Sequence, residues 1–165
     1  MLYLLDANVL IDANRDYYHL GRVSEFWEWL IHVGTEGLVK LPREVYEEIK
    51  DGNDDLAEWI KQPEVKDALL LDAAAEPTLV SRVVEEGYAP DLTDDELEKV
   101  GRDPFLIAYT LSDPTAHCVV TTEVSKPRRR RANRHIPDVC KDVGIRCCDT
   151  FGFIRELDFR TDWDS

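Results

Sequence analysis

The stretch Leu2-Tyr3-Leu4-Leu5-Asp6-Ala7-Asn8-Val9-Leu10-Ile11-Asp12 decides the fold. Its opening four residues are apolar without alternation, and Asp6 and Asn8 then form a turn signal. A run that short reads as a strand buried on both faces. A helix is expected from about Val9, where apolar residues resume at helical spacing. Asp6 stands between the two. An acid closing a buried strand is costly unless a cation or hydrogen-bond donors meet it. One explanation is local: Asp6 and Asn8 form an Asx turn that caps the helix. The other is a site.

Moving outward, the strand-then-helix alternation repeats. Residues 38–41, LVKL, end at Pro42, and the helix that follows carries Val45, Tyr46 and Ile49 on one side. Ser24 reads as the N-cap of a helix in which Phe26, Trp27 and Leu30 recur at helical spacing, with Trp27 and Trp29 as core residues. Residues 69–71 fit either a strand or a helix start, and residues 78–87 read as helical. Thr93 and Glu96 form a capping box for a helix over 94–100. Asp103 and Pro104 open a helix to Leu111, with Asp103 placed as its N-cap. Strands are expected at 118–121 (CVVT) and 145–148 (IRCC), and short helices at 136–142 and 151–157. Four apolar strands separated by helices imply an α/β protein: a parallel sheet covered on both faces. No repeat or linker divides it, so residues 1–165 are read as one domain.

The hydrophobic fraction of 44% suits a globular domain, while the net charge of −14 repels nucleic acid overall. Contact with nucleic acid would therefore need a local basic patch. One exists at residues 126–135, KPRRRRANRH, with Lys126, Arg128, Arg129, Arg130, Arg131 and Arg134. Three readings stand: phosphate contact, a solvated loop, or docking of an acidic partner segment. Cys118, Cys140, Cys147 and Cys148 have no zinc-type spacing and are expected to be reduced thiols. The four histidines form no ligand pair. Because Asp6 interrupts the first apolar run, neither a signal peptide nor a membrane span is expected, and a cytoplasmic location follows.

The acids carry the functional reading. In an open parallel sheet, ligands gather beyond the carboxyl ends of the strands. Asp6 follows the first strand, Glu123 the strand CVVT, Glu48 lies in the helix after the second strand, and Asp103 heads a helix before the third. Ionised carboxylates about 5 Å apart repel by roughly 3 kcal/mol per pair at an effective dielectric of 20. A divalent cation would offset this; otherwise raised pKa values would absorb it. Glu44 is one turn from Glu48 and shares its helix face, so either could point toward Asp6, while Glu47 points away.

Taken in order, LLDANVLID, LPREVYEEI, RDPFLIAYTL and VVTTE resemble the PIN-domain nucleases. The tail IPDVCKDVGIRCCDTF looks like that family's last helix-strand unit, and the branch resembled is related to toxin-antitoxin ribonucleases of the VapC kind. The resemblance implies a three-layer α/β/α fold with a central parallel sheet of about four to five strands. It also implies Mg2+- or Mn2+-dependent hydrolysis of RNA phosphodiesters. Asp6, Glu48, Asp103 and Glu123 would be the catalytic metal ligands, supported by Asn8, Thr121 and Glu44. Glu123 stands where the family usually has Asp. Expected partners are RNA, an antitoxin protein and a second copy of the chain, with no membrane. The competing class is a PIN-fold binding module that has lost catalysis. A phosphotransfer receiver domain ranks lower, because Lys126 lies past the strand, among arginines.

Overall fold

Four short strands and ten α-helices follow one another along residues 1–165 of the computed structural model, which describes the whole sequence. In chain order these are β1 (Leu2–Leu5), α1 (Ala7–Asp12), α2 (Ser24–Thr35), β2 (Val39–Lys40), α3 (Arg43–Lys50), α4 (Asp55–Ile60), α5 (Pro63–Leu69), α6 (Pro77–Arg82), α7 (Asp94–Val100), α8 (Asp103–Leu111), β3 (His117–Val120), α9 (Ile136–Val143), β4 (Arg146–Cys148) and α10 (Thr150–Glu156). π-Helical turns extend α1 and α6, over Ala13–Tyr17 and Val83–Tyr88.

The sheet runs β2-β1-β3-β4 and every pairing is parallel. Tyr3 lies opposite Val39, Leu2–Leu5 opposite His117–Val120, and Val119 opposite Cys147. There are four strands rather than five. The segment 69–71 contributes the end of α5 and one parallel bridge, Leu70 to Leu41, at the sheet edge. The chain steps from β1 to β2 on one side and later returns to β3 on the other. That reversal opens a crevice between β1 and β3 at their carboxyl ends, where open α/β sheets bind ligands.

Side chains leaving the strands alternately feed two cores. Tyr3, Leu5, Cys118 and Val120 join the larger cluster with residues of α1 to α5 and α10. Leu4 and Val119 join the smaller one with residues of α8 and α9. With helices on both faces, the result is the three-layer α/β/α arrangement. Trp27 and Trp29 are both buried in the larger core, and the Trp27 indole N–H donates to Tyr18 O at 2.6 Å. α2 and α5 touch closely because residue 34 is glycine. A Cβ there would stand 2.7 Å from Leu69 Cδ2 and 2.8 Å from Ala68 O.

Several helix starts differ from the sequence reading, and two matter. α1 begins at Ala7 rather than Val9, and Asp6 makes no side-chain cap. The backbone alone supplies the turn, with Val9 N–H donating to Asp6 O at 3.1 Å. Likewise Arg102, not Asp103, occupies the N-cap position of α8, and Asp103 is its first helical residue. Ser24 is similarly the first residue of α2, after Val23 at the N-cap. The Thr93–Glu96 capping box forms as read. No helix is long and apolar enough to cross a membrane.

Candidate functional site

The backbone ladder continues one residue past β1 and β3. Asp6 N–H donates to Val120 O at 2.9 Å, and Thr121 N–H donates to Cys148 O at 3.1 Å. Asp6 and Thr121 therefore emerge side by side in the crevice. The buried Thr121 hydroxyl donates to Asp6 Oδ2 at 3.0 Å and accepts the Glu123 N–H at 3.2 Å. One threonine thus orients the acid after β1 and turns the chain after β3.

Asp103 comes from the other core layer. The Arg102 guanidinium donates to Glu44 O at 2.9 Å, tying the head of α8 to α3. Burial pushes the Asp103 carboxyl up to about 8, and the charges of Asp6, Glu123 and Glu48 add to the rise. Burial also pushes Asp6 up to about 6. The Thr121 hydroxyl and the Ala7 backbone oppose that rise, while Glu123 and Glu48 add to it. Asp6 and Asp103 therefore both lie within reach of the charges of Glu48 and Glu123, and Asp103 within reach of Asp6 as well. No ion pair involves any of them.

Of the two glutamates left open on α3, Glu48 bears on Asp6 and Asp103, whereas Glu44 faces Tyr109 and buries one oxygen without a partner. Glu48→Gln is expected to lower the pKa of Asp103, and Glu44→Gln to leave it where it is. Carboxyl titration of Asp103 by 13C NMR in excess chelator reads this directly. A larger shift from Glu44→Gln would show that the wrong turn of α3 has been assigned to the crevice. Asn8 is exposed in the first turn of α1.

Glu123 has a second engagement. Its Oε2 accepts the Ile136 N–H at 2.9 Å, at the start of α9. A carboxylate there complements the positive end of the helix. Asp138, in the first turn of α9, accepts the Ser125 hydroxyl at 2.5 Å and the Lys126 N–H at 2.8 Å. The segment after β3 is thereby pinned back onto α9.

The basic run divides in two. Arg131, in the left-handed region at φ 54°, pairs with Asp91 at 2.8 Å and with Glu96 at 2.9 Å. Arg134 is largely buried, pairs with Asp142 at 2.7 Å and donates to the backbone of Gly87. These two arginines, expected as RNA contacts, are engaged by acids of the chain itself. Lys126, Arg128, Arg129 and Arg130 are exposed. A pocket of about 330 Å³ is lined by Asp103 and Glu123 together with Tyr88, Lys99, Arg129 and His135. Tyr88, Lys99 and His135 were not singled out by the sequence. A Gly-Tyr pair closing a charged helix carries no signal beyond that of a core aromatic.

The donor set suits a hard divalent cation: carboxylate oxygens, two of them on groups destabilised by burial and without a counter-charge. No group of three or more His, Cys, Asp or Glu side chains is gathered tightly enough to hold a metal ion by itself. A small hard cation that keeps several waters requires only one or two direct carboxylates. Away from the site, Cys118 and Cys148 face each other across β3 and β4 with Sγ atoms 3.8 Å apart, and all four cysteines are free.

A family model described as a domain of unknown function (DUF4411) matches residues 3–161. Comparison with curated proteins and with solved structures gives no match.

Proposed function

We propose that this chain, which belongs to the DUF4411 family, is a metal-dependent endoribonuclease. The observation that carries the reading is the pair Asp6 and Asp103. Two carboxylates from opposite core layers stand at the switch point of a parallel sheet, pushed up to about 6 and about 8, and no basic side chain of the chain pairs with either. Folding two acids into such surroundings is unfavourable unless something positive compensates. The resemblance to PIN-domain nucleases supports the same conclusion.

In this reading Asp6 and Asp103, with Glu48 and Glu123, hold Mg2+ or Mn2+. When bound, the cation supplies a water of lowered pKa and neutralises charge developing on the phosphoryl group. The chain's own residues do the rest. Thr121 fixes the Asp6 carboxylate, the Arg102–Glu44 contact brings α8 against α3, and Glu123 holds the segment after β3 on α9. The exposed arginines supply the local positive potential that an acidic surface otherwise lacks. A cytoplasmic toxin of a toxin-antitoxin pair is the finer form of this proposal. A second reading, a PIN-fold binding module without catalysis, is favoured by one observation: Glu123 already spends an oxygen on Ile136 N–H.

The test uses the purified chain with labelled single-stranded RNA and single-stranded DNA, in Mn2+, in Mg2+ and in excess chelator. Calorimetry with Mn2+ runs alongside. Cation-dependent cleavage of RNA, abolished by chelator, is the expected result. Mn2+ binding without cleavage would favour the binding module, and no Mn2+ binding at all would overturn the metal reading.

A further inference from the structure

Tyr88 ends the π-helical turn Val83–Tyr88 and is 7% exposed. Its hydroxyl is buried and has no hydrogen-bond partner. Such orphaned groups are costly and rare in folded proteins, and each asks for an explanation. The backbone just before it is closely held. A Cβ on Gly87 would stand 2.5 Å from Val139 Cγ1, so only glycine lets this turn sit so closely on α9. Arg134 holds the Gly87 carbonyl as well.

Two adjoining pockets share this tyrosine. One is lined also by Asp103, Glu123 and Arg129, the other by Arg128, Arg129 and Arg130. These three arginines are exposed, and no carboxylate of the chain pairs with them. In a chain of net charge −14, adjacent unpaired guanidinium groups are a local exception. An ordinary phenol is protonated at neutral pH, so it faces a ligand as a donor.

We propose that Tyr88, Arg128, Arg129 and Arg130 form a phosphate-binding subsite that seats a backbone phosphodiester of single-stranded nucleic acid beside the acidic crevice. The placement rests on the nuclease reading; the binding does not. A phosphodiester presents two non-bridging oxygens. One accepts from the Tyr88 hydroxyl, which satisfies the orphan, and the other accepts from a guanidinium fork. The next phosphate along the strand is then carried toward Asp6 and Asp103. A single strand also suits an exposed run of arginines, which follows the backbone without reading bases.

Binding is measured by fluorescence anisotropy with a labelled single-stranded oligoribonucleotide in excess chelator, so that nothing is cleaved. Tyr88→Phe is expected to weaken binding about tenfold, as for a lost charge-assisted hydrogen bond, without lowering the melting temperature. Arg129→Gln and Arg130→Gln, at exposed positions, should each reduce the salt slope by roughly 0.7. Unchanged affinity in Tyr88→Phe, with a raised melting temperature, would show an orphan hydroxyl and no subsite. Inorganic phosphate competing as well as the oligonucleotide would replace the strand with a free-phosphate site. Arginine-dependent binding of polyglutamate in preference to RNA would overturn the proposal in favour of an acidic protein partner. If the nuclease reading alone fails, RNA still binds in chelator with these sensitivities. If the subsite alone fails, cation-dependent cleavage remains while these variants bind like the parent.

Discussion

Asp6→Asn and Asp103→Asn are each expected to lower cation-dependent RNA cleavage by about 10²–10³-fold while the protein stays folded, the scale of losing one electrostatic stabiliser of a transition state. Each substitution removes a charge at nearly constant shape. Asparagine at residue 6 keeps an oxygen for the Thr121 hydroxyl that now donates to Asp6 Oδ2. Residue 103 lies in the first turn of α8 and does not occupy the cap position, so its loss leaves the helix start intact. The measurement is single-turnover cleavage in Mn2+ beside a melting curve of each variant. Activity near that of the parent in both variants would remove Asp6 and Asp103 from the chemistry.

The same two carboxylates set the pH dependence of stability in the cation-free protein. Both fold with pKa values above the ordinary 3.8, Asp6 at about 6 and Asp103 at about 8. Below pH 4 both states are protonated and the groups cost nothing. Between about 4 and 8 the unfolded chain has released protons that the folded protein still holds, so stability falls as pH rises, and it levels off above the Asp103 value. One pKa unit corresponds to about 1.4 kcal/mol, so Asp103 alone lowers stability by on the order of a few kcal/mol at pH 8. Asp103→Asn removes that loss and should raise the melting temperature in chelator by about 5–10 °C for a chain of this size. Mn2+ should raise the parent's melting temperature at the same pH and the variant's much less. Thermal denaturation from pH 5 to 8.5, with chelator and with Mn2+, measures both effects. A parent whose cation-free stability rises through this range would contradict the buried-acid account.

Asp6→Asn and Asp103→Asn thus separate function from stability in opposite directions: activity falls and cation-free stability rises. That pattern is typical of sites where folding tolerates an unfavourable group because the group performs a task.

How much of this was legible in the chain itself depends on how local each cause is. The run LYLL and its counterparts LVKL, CVVT and IRCC already specified a parallel sheet covered on both faces, because strands that lack alternation have no side to give to water. The Thr93–Glu96 box was readable because its donors and acceptors lie within one turn. The four acids were visible as residues at element ends. What each one does was not. Asp6 looked equally like a cap or a site, and the deciding contact is a hydroxyl 115 residues away. Glu44 and Glu48 share a helix face, and only the packing of α3 against α1 and α8 turns Glu48 toward the crevice and Glu44 toward Tyr109. Arg131 looked no different from its neighbours until Asp91 and Glu96, which lie 40 and 35 residues earlier in the chain, claimed it. Tyr88 gave no sequence signal at all, since an orphaned hydroxyl exists only once a core has closed around it. Periodicity and capping are short-range and survive in one dimension. Burial, like-charge proximity and the commitment of a side chain to a distant partner arise only when separate elements are brought together.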